Sequence, residues 1–324
     1  MTDSGDWLVC PRAIDSLSQL EDHLAAAVGA DSSTRAVATW LVARPGKRFR
    51  PALLVLSAQF GAKYPEETLL RAAAALELIH IASLYHDDVM DRALVRRKGP
   101  SVNSAWGNAM ATAGGTFLFA RASGLLAALG DEVNRLASAA VVRMCTGQLR
   151  EVEHAYNVDL TEEEHLEVLS AKTATLFELP CRLGAVLSAL GDDRASALME
   201  YARQLGLAFQ LVDDALDLSG DATVLGKATL TDIREGVYSL PVLTALRRWN
   251  ESARLRDLLL RARLAPDELQ QVVRLVQGSG AVDIALARAR ALSQAAVNAL
   301  DEFAPDPAID SLRRLAHFLV HRSH

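Results

Sequence analysis

The sequence predicts an all-α fold, on three observations. Alanine and leucine dominate, apolar residues recur at helical spacing nearly throughout, and the alternation of β-branched residues typical of strands is scarce. Glycine and proline breakers separate segments of ordinary helix length or somewhat longer. The breakers are Gly29, Pro45-Gly46, Gly61 to Pro65, Gly99-Pro100, Gly114-Gly115, Gly130, Gly191, Gly220, Gly226, Gly236, Pro241, Gly278 to Gly280, and Pro305 with Pro307. We therefore expect a bundle of about ten or more helices.

The whole chain, residues 1–324, is predicted to form a single domain. Half of the residues are hydrophobic, which is enough for a large core. No linker rich in Pro, Ser or Gly divides the chain, and no solenoid repeat is present. The first residues, 1–12, are expected to be flexible.

Charge and cysteine content exclude several classes of protein. The net charge is −6 and basic residues are spread along the chain, which argues against nucleic-acid binding. Cys10, Cys145 and Cys181 lie far apart, so they indicate neither a disulfide framework nor a zinc site. The polar, acidic N-terminus is unlike a signal peptide, and no apolar run would span a bilayer without a charge. We expect a cytoplasmic protein with at most peripheral membrane contact.

The first acidic motif ends a strong helical pattern over residues 68 to 93. Residues spaced by three, four or seven positions share a helix face. One such stripe contains His80, Ser83, Leu84, Asp87 and Asp91, and Asp88 lies beside it. Further along the chain, Thr161 and Glu164 have the spacing of a helix N-cap with a capping box.

A second helix carries the same pattern at Asp213, Asp214 and Asp217, with Gln210 on the same stripe. Both motifs read Asp-Asp-x-x-Asp within apolar sequence. Burying carboxylates without partners costs several kcal/mol each. Divalent cations that hold a polyanionic substrate are the simplest partners.

The double arginine Arg96-Arg97 follows the first motif directly. Metal ions neutralise some oxygens of a diphosphate, and guanidinium groups bind others bidentately, so this pattern predicts a metal–diphosphate site. A surface network of Asp and Arg, or solvated aspartates at an exposed helix end, remains the structural alternative.

Taken with five further segments, these motifs resemble the trans-isoprenyl diphosphate synthases (polyprenyl synthetases), particularly the long-chain members. The matching segments occur in the family's order: Gly46 to Pro51, Glu77 to Asp91, Arg96-Arg97, Gly147-Gln148, Lys172-Thr173, Phe209 to Asp214, and Gly226-Lys227. The resemblance implies an all-α bundle around a central cavity, usually a homodimer. It also implies a Mg²⁺-dependent reaction that joins isopentenyl diphosphate head to tail to an allylic diphosphate primer.

The resemblance also implies roles for individual residues. Asp87, Asp91 and Asp213 ligate Mg²⁺, three ions in all with bound diphosphate, while Asp88, Asp214 and Asp217 complete the acidic clusters. Arg96, Lys172 and Lys227 hold the allylic diphosphate. Lys47, Arg50, His80 and Arg97 hold isopentenyl diphosphate, and Thr173 and Gln210 face the reacting centre.

Product length in this family depends on the residues four and five positions before the first Asp, where bulky side chains block the growing tail. Here these positions are Ser83 and Ala82, both small. Five residues of helix span roughly 7.5 Å, so a block there would stop the tail after a few carbons. Phe117 and Phe119 are candidates for a deeper floor. We expect a product of geranylgeranyl length or longer, with a long chain favoured.

Three positions depart from the family's usual pattern. Pro45 precedes Gly46 where the family often has Gly, Thr116 follows Gly115 where Asp is usual, and Val237 follows Gly236 where Lys is frequent. None of them is a carboxylate of the acidic motifs. They leave open a specialised product or a partner subunit.

The alternatives are a geranylgeranyl diphosphate synthase and one subunit of a heteromeric prenyl synthase. A weakly catalytic partner subunit should have lost acidic motifs, and both are intact here. A class I terpene cyclase also uses Asp-Asp-x-x-Asp, but its second metal motif mixes Asn, Ser or Thr with Glu. A helical scaffold without activity would leave the carboxylates and the double arginine unexplained.

Overall fold

The computed structural model describes residues 6–29, 34–44, 46–62, 64–219, 230–261 and 263–321. Over these residues the protein consists of helices and one short β-hairpin, so the predicted all-α class is confirmed. The chain forms two compact units. The first contains Met1–Val142, Leu176–Ala202 and Val297–Leu315, and the second contains Arg143–Thr175, Arg203–Ala296 and Ala316–His324. The single domain and the central cavity stay predictions.

The helices follow one another with short connections. Up to the end of α7 the elements are α1 (Pro11–Val28), α2 (Arg35–Ala38), α3 (Phe49–Ala58), α4 (Glu66–Met90), β1 (Val95–Arg96), β2 (Gly99–Pro100), α5 (Val102–Trp106), α6 (Asn108–Ala127) and α7 (Asp131–Glu153). They continue with α8 (Glu162–Leu169), a π-helical turn (Ser170–Ala174), α9 (Thr175–Leu187), α10 (Asp192–Leu216), α11 (Thr231–Arg234), α12 (Leu240–Arg248), α13 (Ser252–Leu259), α14 (Pro266–Gly278), α15 (Ala281–Ala299) and α16 (Pro307–His321).

Helix α4 is the core helix of the first unit and packs against α1, α3 and α6. It begins at Glu66 and ends at Met90, close to the predicted range of 68 to 93. Among the described helices, α4 is the one long and apolar enough to cross a membrane by length and composition. Its most apolar window is 72% buried within the protein, so that surface contacts other helices. The first acidic motif lies at its C-terminal end.

The prediction that Gly114-Gly115 interrupts a helix is wrong, because both glycines lie inside α6. A Cβ atom on Gly115 would lie 2.5 Å from His86 Nε2, and one on Gly114 would lie 2.9 Å from Val37 Cγ1. Gly115 therefore allows α6 to approach α4 closely, and Gly114 allows it to approach α2. This packing outweighs the low helix propensity of glycine.

The prediction that residues 1–12 are flexible is wrong for residues 7–12. Trp7, Leu8 and Cys10 are buried, and the Cys10 N–H donates to Ser311 Oγ at 2.9 Å. Pro11 begins α1. Residues 1–5 lie outside the described part of the chain.

In the second unit, the predicted helix start at Thr161 is confirmed. The Thr161 hydroxyl accepts from the Glu164 N–H, and the Glu164 carboxylate accepts from the Thr161 N–H. After α8 the chain passes into the π-helical turn, which the sequence did not predict. Such turns are rare and frequently occur at functional sites.

Candidate active site

The first acidic motif occupies the last turn of α4. The Asp91 N–H donates to the Asp87 carbonyl at 2.8 Å, which places these two aspartates one helical turn apart as predicted. Both residues are partly buried. Two carboxylates one turn apart on one face are the arrangement that the metal-site prediction requires.

Asp88 differs from its neighbours because its side chain is completely buried, with an exposed fraction of 0%. Its Oδ1 accepts from Arg96 Nε and lies 2.7 Å from Arg96 Nη2, while Oδ2 is buried without a hydrogen bond. Burial raises the pKa of Asp88, and the Arg96 charge opposes that rise. Arg96 therefore neutralises Asp88, whereas the sequence assigned it to the allylic diphosphate. The role of Arg96 in binding diphosphate stays a prediction, which its remaining N–H donors would serve.

The hairpin β1–β2 carries the double arginine. Arg97 and Lys98 form its turn with positive φ angles of 49° and 59°, the left-handed conformation that two-residue hairpins require. Arg44 stabilises the hairpin, because its Nη1 donates to the carbonyls of Arg96 at 3.1 Å and Pro100 at 2.9 Å. The hairpin thus holds Arg97 at a defined position, although the sequence predicted only a loop.

A cluster of basic side chains in the first unit contains three of the residues predicted to hold isopentenyl diphosphate, Arg50, His80 and Arg97. Burial lowers the pKa of Arg50 to about 10; Glu77 raises it and Arg97 lowers it further. The Arg50 Nε atom is buried and makes no hydrogen bond. The guanidinium lies over the Phe177 ring, 5.4 Å from its centroid. A buried cation with an unsatisfied donor fits an anionic ligand.

His80 is neutral at physiological pH in this environment. Burial lowers its pKa well below the ordinary value, and the charges of Arg50, Arg97 and other arginines lower it further. A neutral imidazole offers one donor without adding charge to the cluster. Lys47, the fourth predicted residue, lies with its Nζ 5.9 Å from the centroid of the Phe49 ring at the start of α3.

The second acidic motif belongs to a polar network within the second unit. Asp214 Oδ1 accepts from Gln210 Nε2 at 2.9 Å, and Gln210 Oε1 accepts from the Thr173 hydroxyl at 3.1 Å. The remaining oxygen of Asp214 lies 3.7 Å from Nε2 of buried His165. The structure therefore brings together Gln210 and Thr173, which the sequence placed at the reacting centre. It also adds His165, which the sequence did not single out.

Asp213 and Asp217 lie one turn apart on α10, since the Asp217 N–H donates to the Asp213 carbonyl at 3.0 Å. Asp217 and Asp214 line a small pocket together with Leu218, Asp232, Ile233, Val237 and Ser239. Val237 is the position where the resemblance leads one to expect Lys. An apolar side chain therefore stands beside these carboxylates. Lys227 lies outside the described residues.

Lys172 sits in the π-helical turn, where its Nζ donates to Glu151 Oε1 at 2.5 Å. Glu151 also accepts from Gln148 Nε2 at 3.2 Å. The turn is packed against Gly147 of α7, where an added Cβ would lie 2.5 Å from the Lys172 backbone nitrogen. The matched segments Gly147-Gln148 and Lys172-Thr173 are thus one structural unit, which their separation in sequence did not reveal.

The two predicted chain-length residues lie on the same helix turn of α4. Ala82 is fully buried, and its carbonyl oxygen would be 3.2 Å from a Cβ on Gly115. Ser83 is partly exposed, and its hydroxyl donates to the His80 carbonyl at 2.8 Å. Because Ala82 is fully buried, a larger side chain there would have to displace its neighbours.

Within the described residues, no three His, Cys, Asp or Glu side chains converge as a preformed metal cage. The donor set nevertheless fits a hard divalent cation, because each acidic motif supplies carboxylates one turn apart. Asp88 and Asp214, which follow the predicted ligands Asp87 and Asp213 in sequence, each have a buried Oδ2 atom without a hydrogen bond. Residues with this arrangement are suited to Mg²⁺ that retains water and substrate oxygens as its other ligands.

Sequence reasoning missed the residues that support the basic cluster, namely Glu21, Arg44, Arg48 and Glu77. Glu77 and Arg48 lie inside matched segments, but nothing in their spacing marked them as interacting. Arg48 has a positive φ of 50° and is buried, which only the folded chain reveals.

Comparison with known proteins gives consistent matches. The family model described as Polyprenyl synthetase matches residues 32–276. Nonaprenyl diphosphate synthase of Mycobacterium tuberculosis is 40% identical over 274 residues, which are 84% of this chain and 80% of that protein. Heptaprenyl diphosphate synthase component 2 of Geobacillus stearothermophilus is 31% identical over 312 residues, covering 96% of this chain and 97% of that protein.

A solved structure extends the similarity to the fold. The polyprenyl synthase of Caulobacter crescentus, complexed with calcium and isoprenyl diphosphate, superposes with a TM-score of 0.91 and is 33% identical. The match covers 100% of both chains.

Proposed function

We propose the function of this chain from the premise that it belongs to the polyprenyl synthetase family. The protein is a trans-prenyltransferase that condenses isopentenyl diphosphate head to tail onto an allylic diphosphate and releases diphosphate. The product is a polyprenyl diphosphate, and a long chain is the favoured length.

The observation that carries this proposal is the basic cluster around Arg50. The buried Arg50 guanidinium has an unsatisfied Nε, and Arg97 and the neutral His80 act on it electrostatically or lie in its field, so an anion of several oxygens would complete the hydrogen bonding of Arg50. Isopentenyl diphosphate supplies such an anion. The role of these residues is to hold its diphosphate so that the double bond is aimed at the allylic carbon.

Asp87, Asp91 and Asp213 are the proposed ligands of Mg²⁺, with three ions bound when the allylic diphosphate is present. The relative from Caulobacter crescentus, complexed with calcium and isoprenyl diphosphate, supports divalent metal use. Bound Mg²⁺ would neutralise the charge that develops on the leaving diphosphate. Lys172 adds a fixed positive charge for the same diphosphate, and Glu151 orients it. The allylic cation must be kept from water until the double bond of isopentenyl diphosphate attacks it. The carbocation formed by this attack then loses a proton to the departing diphosphate, which leaves the new double bond of the product.

Incubation of the purified chain with isopentenyl diphosphate and primers of several lengths tests the function. Chromatography of the dephosphorylated products should reveal chains that grow by five carbons, and EDTA should abolish their formation until Mg²⁺ is restored. Lack of activity in the chain alone, with activity restored by a second protein, would favour a subunit of a heteromeric synthase. The similarity to component 2 of a heptaprenyl synthase makes this the second candidate.

Ser83 gives a direct test of product length. We expect Ser83→Phe to shorten the longest product by at least one isoprene unit, because a phenyl ring would block the tail early in its path. Ser83→Ala is the control, since it removes the hydroxyl without adding bulk, and it should leave the product distribution unchanged. Ala82→Phe is a less specific test, because Ala82 is fully buried and a phenyl ring there would also disturb the packing. A wild-type product limited to geranyl or farnesyl diphosphate would refute the predicted length.

We also propose a homodimer, and exposed apolar side chains on α7 support it. Val142, Leu149 and Val152 are exposed by 66%, 65% and 59%, and their spacings place them on one face. Light scattering after size exclusion should therefore give twice the chain mass. Leu149→Asp should shift the protein toward monomer. Leu94→Asp is the control: Leu94 is exposed in the short segment between α4 and β1, and its replacement should not change the oligomeric state. A wild-type monomer at micromolar concentration would contradict the proposal.

A further inference from the structure

We propose that Glu77 is a positioning residue for isopentenyl diphosphate, acting through Arg97 and Arg48. This inference rests on the proposed function and deepens it. Glu77 was not among the predicted site residues, and its role follows from the contacts of a chain of charges that is largely buried apart from the exposed Glu21. That chain runs from Glu21 through Arg48 and Glu77 to Arg97.

Glu77 lies at the centre of this chain and is 2% exposed. Its Oε1 accepts from Arg48 Nη1 at 2.5 Å and from Arg97 Nη2 at 3.4 Å. A single carboxylate oxygen therefore fixes two guanidinium groups. A buried carboxylate with this many charge-assisted contacts costs desolvation energy, so it is retained for what it holds in place.

Arg48 connects Glu77 to the first helix of the chain. Its Nε and Nη2 donate to the two carboxylate oxygens of Glu21 on α1, at 2.9 and 3.1 Å. Arg48 Nη2 also donates to the Val42 carbonyl at 3.2 Å. Through these hydrogen bonds, Arg48 connects α1, the Val42 segment and Glu77. It is not available as a substrate ligand.

Arg97 is held at both ends of its guanidinium fork. Nη1 donates to the Leu41 carbonyl at 2.8 Å, and Nη2 points at Glu77. The hairpin turn fixes its backbone in the left-handed region. Removing Glu77 would free one end of the fork and let the guanidinium plane rotate. A misplacement of about 1 Å can cost on the order of a hundredfold in rate.

The balance of charge explains why the cluster accepts an anion at Arg50. Glu21 and Glu77 carry two negative charges, against three positive charges on Arg48, Arg50 and Arg97. The two ion pairs to Arg48 and the contact to Arg97 use both carboxylates. One positive charge is left in excess, and the unsatisfied Nε of Arg50 lies in the same cluster. Because Glu77 pairs with Arg48 and Arg97, the excess positive charge remains at Arg50, which is predicted to bind the ligand.

The test is a comparison of KM values in Glu77→Gln, which keeps the shape and removes the charge. We expect KM for isopentenyl diphosphate to rise about tenfold or more, while KM for the allylic primer changes less than twofold. Glu67→Gln is the matched control on the same helix: Glu67 is exposed and pairs with Arg71, so both KM values should stay unchanged. Glu77→Asp keeps the charge and should restore most of the affinity.

A double variant separates positioning from general destabilisation. If Glu77 acts through Arg97, Glu77→Gln added to Arg97→Gln should raise KM for isopentenyl diphosphate by less than twofold beyond Arg97→Gln alone. A purely structural role would instead raise both KM values together and lower Tm, which would overturn the inference. If Glu77→Gln does not fold, Glu77→Met replaces it, because it also removes the charge at similar volume and should change the ratio of KM values in the same direction. An inactive wild type refutes the proposed function, whereas an active wild type with an unchanged ratio in the charge-removing variant refutes only the role of Glu77.

Discussion

Asp87→Asn should lower kcat about a thousandfold while the protein remains folded. Asparagine keeps the size of the side chain but removes the negative charge, so it is a poor ligand for a hard cation. A thousandfold loss corresponds to about 4 kcal/mol of transition-state stabilisation, the scale expected when a metal ligand is removed. Steady-state rates with saturating isopentenyl diphosphate, primer and Mg²⁺ give kcat, and thermal unfolding gives Tm.

Asp15→Asn is the control for Asp87→Asn. Asp15 is an exposed carboxylate on α1, outside both acidic motifs, and its replacement should leave kcat unchanged. Asp87 is only partly buried at the end of α4, so its replacement should change Tm little. A kcat within tenfold of wild type would refute the assignment of Asp87 as a metal ligand.

Gly147→Ala should lower kcat by about a hundredfold and also destabilise the fold. The new Cβ would lie 2.5 Å from the Lys172 nitrogen and 2.9 Å from the Ala171 carbonyl carbon, which are backbone atoms that cannot rotate away. Either α7 or the π-helical turn must shift, and overpacking of this kind costs roughly 1–3 kcal/mol. The shift would carry Lys172 and Thr173 away from their positions, and misplacement of such groups is costly for rate.

The matched control is Gly124→Ala, at a glycine inside α6. An added Cβ there meets nothing within 4 Å, and alanine has the higher helix propensity. Gly124→Ala should therefore be neutral or stabilise the protein by up to about 1 kcal/mol. Thermal unfolding and kcat of the two variants give the comparison. Equal behaviour of the two would contradict the proposed contact between Gly147 and the turn that carries Lys172.

The predictions from sequence succeeded where a local pattern carries the information. Helical spacing set the all-α class, the position of α4 and the one-turn separation of Asp87 and Asp91. The capping box at Thr161 and Glu164 depends on residues three positions apart, and it was also found as predicted. The roles of individual site residues stay predictions that the variants above test.

Local patterns were misleading where long-range packing decides the conformation. Gly114-Gly115 has the composition of a helix break, yet close contact with His86 and Val37 keeps both glycines helical. The hairpin at Arg96-Arg97 has no strand pattern of its own, and it forms because Arg44 binds its carbonyl groups.

The sequence by itself determined the reaction class through its ordered resemblance to the polyprenyl synthetases, whereas the spacing of carboxylates and guanidinium groups alone predicted only a metal–diphosphate site. Only the tertiary structure decided which of these charges neutralise one another. Asp88 pairs with Arg96, and Glu77 pairs with Arg48 and Arg97, while Arg50 keeps an unsatisfied donor. The physical reason is that ion pairing depends on distance and burial, and neither can be read from the order of residues along the chain.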